Sequence, residues 1–174
     1  MKTSIIAAAA LALGLPALAR QAASAPPPQQ LPPPPPRAKG PALAPAVRAS
    51  QAAVAACAAK GYHVTTLIVD SAGEPVVLLS GDGASLLSQR FARIKIAVVM
   101  KYKLSSGEVA ARARTDARLD EQIKADPHIG IALAGAVPLM RGGEFIGAFA
   151  VSGAGGPQMD EACVKEALAR VSVR

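Results

Sequence analysis

From Gly142 to Cys163 the chain reads Gly-Gly-Glu-Phe-Ile-Gly-Ala-Phe-Ala-Val-Ser-Gly-Ala-Gly-Gly-Pro-Gln-Met-Asp-Glu-Ala-Cys, and this stretch constrains the fold more than any other. A Gly-Gly turn opens a strand over 144–152, a glycine-rich turn ends it, and a helix follows over about 158–171. Strand, glycines and helix in that order suggest a ligand-facing loop. Pro157 and the acids Asp160 and Glu161 fall in the first turn of the helix, where they already complement its dipole, so an anion is not required there.

The rest of the folded part is built around the same grammar. Val47, Ala49, Ala52, Ala53, Ala56 and Cys57 mark an amphipathic helix over 43–60 that Gly61 stops. Tyr62 to Asp70, rich in β-branched residues, and Pro75 to Ser80 read as a hairpin around Ser71-Ala72-Gly73-Glu74. Both strands are apolar on both faces, which calls for helical cover or a subunit contact on the second side. A helix over 85–103 is expected to turn Leu86, Leu87, Phe91, Ile94 and Val98 to one side. Ser105-Ser106-Gly107-Glu108 has the form of a capping box that starts a helix running to about Lys124, with Asp126-Pro127 as the break. Ala136 to Arg141 and Glu144 to Ser152 form a second hairpin. The predicted class is α+β, an antiparallel sheet of two hairpins with flanking helices in the order α-β-β-α-α-β-β-α.

The N-terminal region has a different composition. Lys2, the apolar run Ile5 to Leu15, and Ala17-Leu18-Ala19 have the three regions of a secretory signal peptide over 1–19, too short to span a membrane. Ten prolines lie between Pro26 and Pro45. Residues 20–45 therefore read as a proline-rich linker in polyproline II, on the order of 60 Å long over its twenty densest positions, with the domain proper over 46–174. The expected location is periplasmic or secreted.

The formal charge is +7, and Arg90, Arg93, Lys95, Lys101, Lys103, Arg112, Arg114 and Arg118 face only Glu108 and Asp116 between positions 90 and 118. A solvated helix face accounts for such a run, as does a site for an anionic ligand. Nucleic acid is a poor partner for an exported chain with three Phe and two Tyr. The two cysteines, Cys57 and Cys163, sit on the first and last predicted helices. In an oxidising compartment they either bridge, with Cα atoms about 4.4–6.8 Å apart, or remain buried thiols. No CxxC spacing supports a zinc or dithiol site.

Taken together, Val69-Asp70-Ser71-Ala72-Gly73, Gly83-Ala84, Lys95-Ile96-Ala97-Val98-Val99, Gly135-Ala136-Val137-Pro138-Leu139, the Gly143 to Gly153 segment and Asp160-Glu161-Ala162-Cys163 resemble, in that order, the motifs of the GlcG/HbpS family over roughly 45–170. Val98 stands where the family commonly has Thr, and Ala136 where it has a second Gly. The resemblance implies a PAS- or profilin-like fold that assembles into homo-oligomers. It also implies binding of haem or a related tetrapyrrole.

Haem needs an axial ligand and cations near its propionates. His63, at the start of the first strand, and His128, after Pro127, are the candidate ligands to ligand and metal; Arg90, Arg93 and Lys95 are the candidate cations. Met100 and Met140 read as core gap-fillers, and Asp70 as a turn cap. The absence of CxxCH excludes covalent haem. No catalytic residue set stands out, so the expected function is non-enzymatic small-molecule binding. Two alternatives are a homo-oligomeric assembly or sensor-accessory module without haem, and an enzyme acting on a small organic acid.

Overall fold

Thr65 to Val69, a run of β-branched and aliphatic residues, forms the strand at the centre of the sheet, because such side chains fit a pleated surface covered on both sides. The computed structural model describes residues 38–173. The expected signal peptide, and the proline-rich linker up to residue 37, lie outside the described residues. In chain order the elements are α1 (Leu43–Ala58), β1 (Thr65–Asp70), β2 (Pro75–Ser80), α2 (Leu86–Tyr102), α3 (Ser106–Ala113), α4 (Ala117–Ala125), β3 (Ala136–Arg141), β4 (Glu144–Ser152) and α5 (Pro157–Arg170).

Two antiparallel hairpins, β1–β2 and β3–β4, join through antiparallel pairing of β1 with β4, giving the order β2-β1-β4-β3. Alternation along the central strands then decides which helix covers which face. Ile68, Phe149 and Val151 point to a layer made by α1 and α5, while Leu67, Val69, Ala148 and Ala150 meet Ala92, Ile96 and Val99 of α2. The alanines on β4 let α2 lie close to the sheet. On the other side Ala46, Ala49 and Ala53 give α1 a smooth buried stripe.

Where α1 meets α5, Cys57 and Cys163 are bridged with a Cα separation of 5.8 Å. The two-hairpin α+β architecture is the one the sequence predicts. Three details differ. The folded unit begins before 46: Ser71 N–H donates to the Lys39 carbonyl at 2.7 Å, the Arg141 guanidinium donates to the Gly40 carbonyl at 3.2 Å, and Lys39 pairs with Glu144.

The helix expected from 106 to about 124 is two helices. Thr115 folds its hydroxyl back on the Arg112 carbonyl at 3.1 Å, and Asp116 restarts the helix by accepting from Leu119 N–H at 3.0 Å. Side chains that bond their own backbone compete with a continuous helix in this way. The buried side of α2 also differs from expectation. Val98 is buried as expected, but Ser88, Ala92, Lys95, Ile96 and Val99 are buried with it, whereas Leu86 and Leu87 are 86% and 59% exposed.

Candidate functional site

Lys95 was expected at a pocket mouth, but its phase on α2 places it inside the protein. Its ammonium donates to Asp160 Oδ2 at 2.5 Å and to the Val151 carbonyl at 3.0 Å, and its side chain is 1% exposed. The other carboxylate oxygen of Asp160 accepts from Ala154 N–H at 2.7 Å. The pair therefore ties α2, the end of β4 and the start of α5 together. Gly135 passes directly over it at φ +124, where a Cβ would lie 2.7 Å from the ammonium nitrogen. Burial holds the Lys95 pKa below the ordinary lysine value, with Asp160 acting in the opposite direction. A lysine closed off in this manner is a structural cross-brace, with no surface left to offer a ligand. Its Ala92-x-x-Lys95-Ile96 spacing, in phase with the buried stripe, is the sequence signal that points inward.

His63 is placed very differently. The residue is exposed just before β1, and its Nδ1 lies 2.6 Å from the Asp82 carbonyl oxygen. A carbonyl only accepts, so Nδ1 carries the proton and Nε2 of the neutral ring is the free, unprotonated nitrogen. Gly83, at φ +77, backs the ring so closely that a Cβ there would sit 3.1 Å from Nδ1. Fixing one ring nitrogen on a backbone carbonyl while the other faces outward is the arrangement that metal-ligating histidines adopt.

The first turn of α2 adjoins the His63 backbone. Gly153, with φ +114, lies against both the His63 carbonyl and the Ser88 side chain, and Thr65 bonds Ser88 at 2.7 Å beneath them. Thr65 also bonds Ser80 at 3.0 Å, which in turn accepts from Gln89 at 3.1 Å, so the floor is a closed hydroxyl network. The exposed face of α2 carries Leu86 and Leu87, with Arg90 and Arg93 one and two turns further along the helix, both exposed. The imidazole thus packs on the Gly81–Gly83 turn that leads into α2, whose exposed face carries the two leucines and two guanidiniums. The Gly81-Asp82-Gly83 turn was visible in the sequence, but the role of the Asp82 backbone in holding the ring was not.

His128 belongs to a separate loop. It is exposed, and its backbone N–H donates to Asp126 Oδ1 at 2.9 Å, which caps the turn at Pro127. Asp126 is also paired with Lys101 at 2.7 Å, and that contact holds its carboxyl below the usual range. Among the described residues no group of three His, Cys, Asp or Glu side chains could hold a metal ion. Asp70 caps its turn as expected, accepting from Ala72 N–H at 2.8 Å and Glu74 N–H at 3.0 Å. Met140 is 42% exposed on edge strand β3, rather than filling a core gap, and it lines a hollow of about 710 Å³ whose other walls carry no charged side chain. Bridged to one another, Cys57 and Cys163 are not ligands.

The chain's likeness to known proteins agrees with this architecture. The HbpS crystal structure superposes with a TM-score of 0.68 at 29% identity, covering 77% of this chain and 92% of that one. A double mutant of Streptomyces reticuli HbpS matches at 27% identity and the same TM-score, over 84% of this chain and 97% of that one. A PduOC:heme complex shares the fold at 22% identity and TM-score 0.68, over 78% of this chain and 99% of that one. No curated protein matches. Residues 42–169 match the family described as haem degrading protein HbpS-like, and with nearly all of the folded unit covered, the chain belongs to that family.

Proposed function

We propose that the protein binds haem or a closely related tetrapyrrole at the His63 corner. The observation that carries this reading is the His63 ring, whose Nδ1–H is committed to the Asp82 carbonyl and whose Nε2 is left free. His63 Nε2 would hold the iron, Leu86 and Leu87 would supply apolar contact for a flat ring, and Arg90 and Arg93 would supply charge for propionates. Haem bound there would bring an iron centre whose ligation and redox behaviour this corner tunes. Family membership and the haem complex formed by PduOC support the choice of ligand.

The role proposed is binding, without turnover by the protein's own side chains, in the periplasm or outside the cell. The Cys57–Cys163 bridge supports an oxidising compartment. Among the described residues no helix is long and apolar enough to cross a membrane.

Haemin titrated into the purified protein should give a saturable Soret band. The His63→Ala variant should lose it, and Arg90→Gln should weaken it. Equal binding by His63→Ala refutes the assignment. The competing reading, a homo-oligomeric assembly module without haem, predicts no saturable band and a concentration-dependent mass in sedimentation. Because the family description names haem degradation, the same sample is followed with ascorbate present. With dioxygen as the oxidant, loss of the band and release of iron faster than from free haemin under the same conditions would make the protein an enzyme.

A further inference from the structure

A second hollow, of about 430 Å³, lies between α3, α4 and the 130–133 loop, and no part of it belongs to the His63 corner. Its size falls within the range of small-molecule sites. The walls are of two kinds. Ile123, buried on α4, forms the floor, and Leu133 and Ile131 flank it, the latter 48% exposed although large and apolar. The facing side chains of α3 are alanines, which leave the room empty. At the rim stand Arg114, Asp120 and Lys124.

The charges decide what could enter. Lys124 and Asp120 neutralise one another at 2.6 Å, whereas Arg114 pairs with no acidic side chain among the described residues. The rim therefore carries one uncompensated positive charge, on the side chain best suited to grip a carboxylate through two parallel hydrogen bonds. A dianion or polyanion would meet only one free cation and the Asp120 carboxylate beside it. A neutral apolar molecule would leave the guanidinium unused. We infer that this hollow binds a small monocarboxylate with an apolar tail, its carboxylate on Arg114 and its tail over Ile123, Ile131 and Leu133.

The probe is sodium octanoate, titrated by calorimetry into the haem-free full chain. Saturable one-to-one binding is expected. Arg114→Gln should weaken it about tenfold or more, which corresponds to about 1.4 kcal/mol, and Ile131→Glu should abolish it. Arg112→Gln, an exposed cation of the same helix outside the hollow, should leave it unchanged. Octylamine binding as tightly as octanoate, an Arg114→Gln variant that binds like the wild type, or no saturable binding overturns the inference. Since the two sites share no residue, these outcomes are independent of whether haem binds at His63.

Discussion

Replacing Lys95 by Met tests whether the buried pair holds the domain together. Methionine keeps most of the volume and its flexibility, so little of the effect comes from a cavity. What the substitution removes is the ammonium at 2.5 Å from Asp160 and 3.0 Å from the Val151 carbonyl. The Asp160 side chain, 6% exposed, then keeps only the Ala154 N–H as a partner. Leaving one member of a buried pair uncompensated costs about 3–5 kcal/mol, a large part of the roughly 5–15 kcal/mol that stabilises a domain. With a urea m-value of about 2 kcal/mol/M, the unfolding midpoint should fall by about 2 M. Circular dichroism at the helix band is the probe, since the chain has no tryptophan.

Two further arms separate electrostatics from packing. Replacing both partners, Lys95→Met with Asp160→Leu, should be less damaging than Lys95→Met alone, because no buried charge is then left over. The pH dependence has a definite sign. The folded Lys95 pKa lies below the unfolded value of 10.5, so between the two the unfolded chain holds the proton more tightly than the native one. Stability from this group therefore grows as pH rises through that window, and the gap between wild type and Lys95→Met should widen there. A loss under about 1 kcal/mol, or a gap that narrows with rising pH, refutes the reasoning.

Reduction of Cys57–Cys163, or its replacement by two alanines, opens a link between residues 106 positions apart and should cost about 4–5 kcal/mol, read as a drop in urea midpoint on adding a phosphine reductant. Gly147→Ala should destabilise by about 3 kcal/mol or more in the same assay, because at φ +147 its Cβ would lie 2.0 Å from the Val69 carbonyl oxygen across the β1–β4 ladder. Ser105→Ala should cost about 1 kcal/mol by removing the cap of α3. The Ser105 hydroxyl and N–H hold the Glu108 pKa below its ordinary value, so the capping stability is present above pH 4.5 and is lost as pH falls through the lower folded value. Acid titration of the wild type against Ser105→Ala measures this, and the variant should lose the hydroxyl's share, the larger one, while keeping that of the backbone N–H.

Local pattern alone determined most of the scaffold. The ranges of β2, β3 and β4 follow from short, mostly apolar runs set off by turns such as Ser71–Glu74 and Gly142–Gly143, and the Ser105–Glu108 box and the Asp70 turn cap act between residues at most four apart. Interactions of that reach are written in the sequence. The paired cysteines were also legible, once both were placed on helices at the two ends of the domain. What the sequence left open depended on rotation and on backbone atoms. Leu86 and Leu87 looked like core until the packing of α2 against alanines of β4 fixed the helix phase, which turned them outward and Lys95 inward. Asp160, read as a complement to the helix dipole, became the partner of a lysine 65 residues away. His63 was a candidate ligand by residue type alone, and which of its nitrogens is left free was decided only when the fold brought the Asp82 carbonyl to its Nδ1. Side-chain types announce chemistry, but burial, pairing and the choice of free nitrogen are set by neighbours that only the tertiary fold supplies.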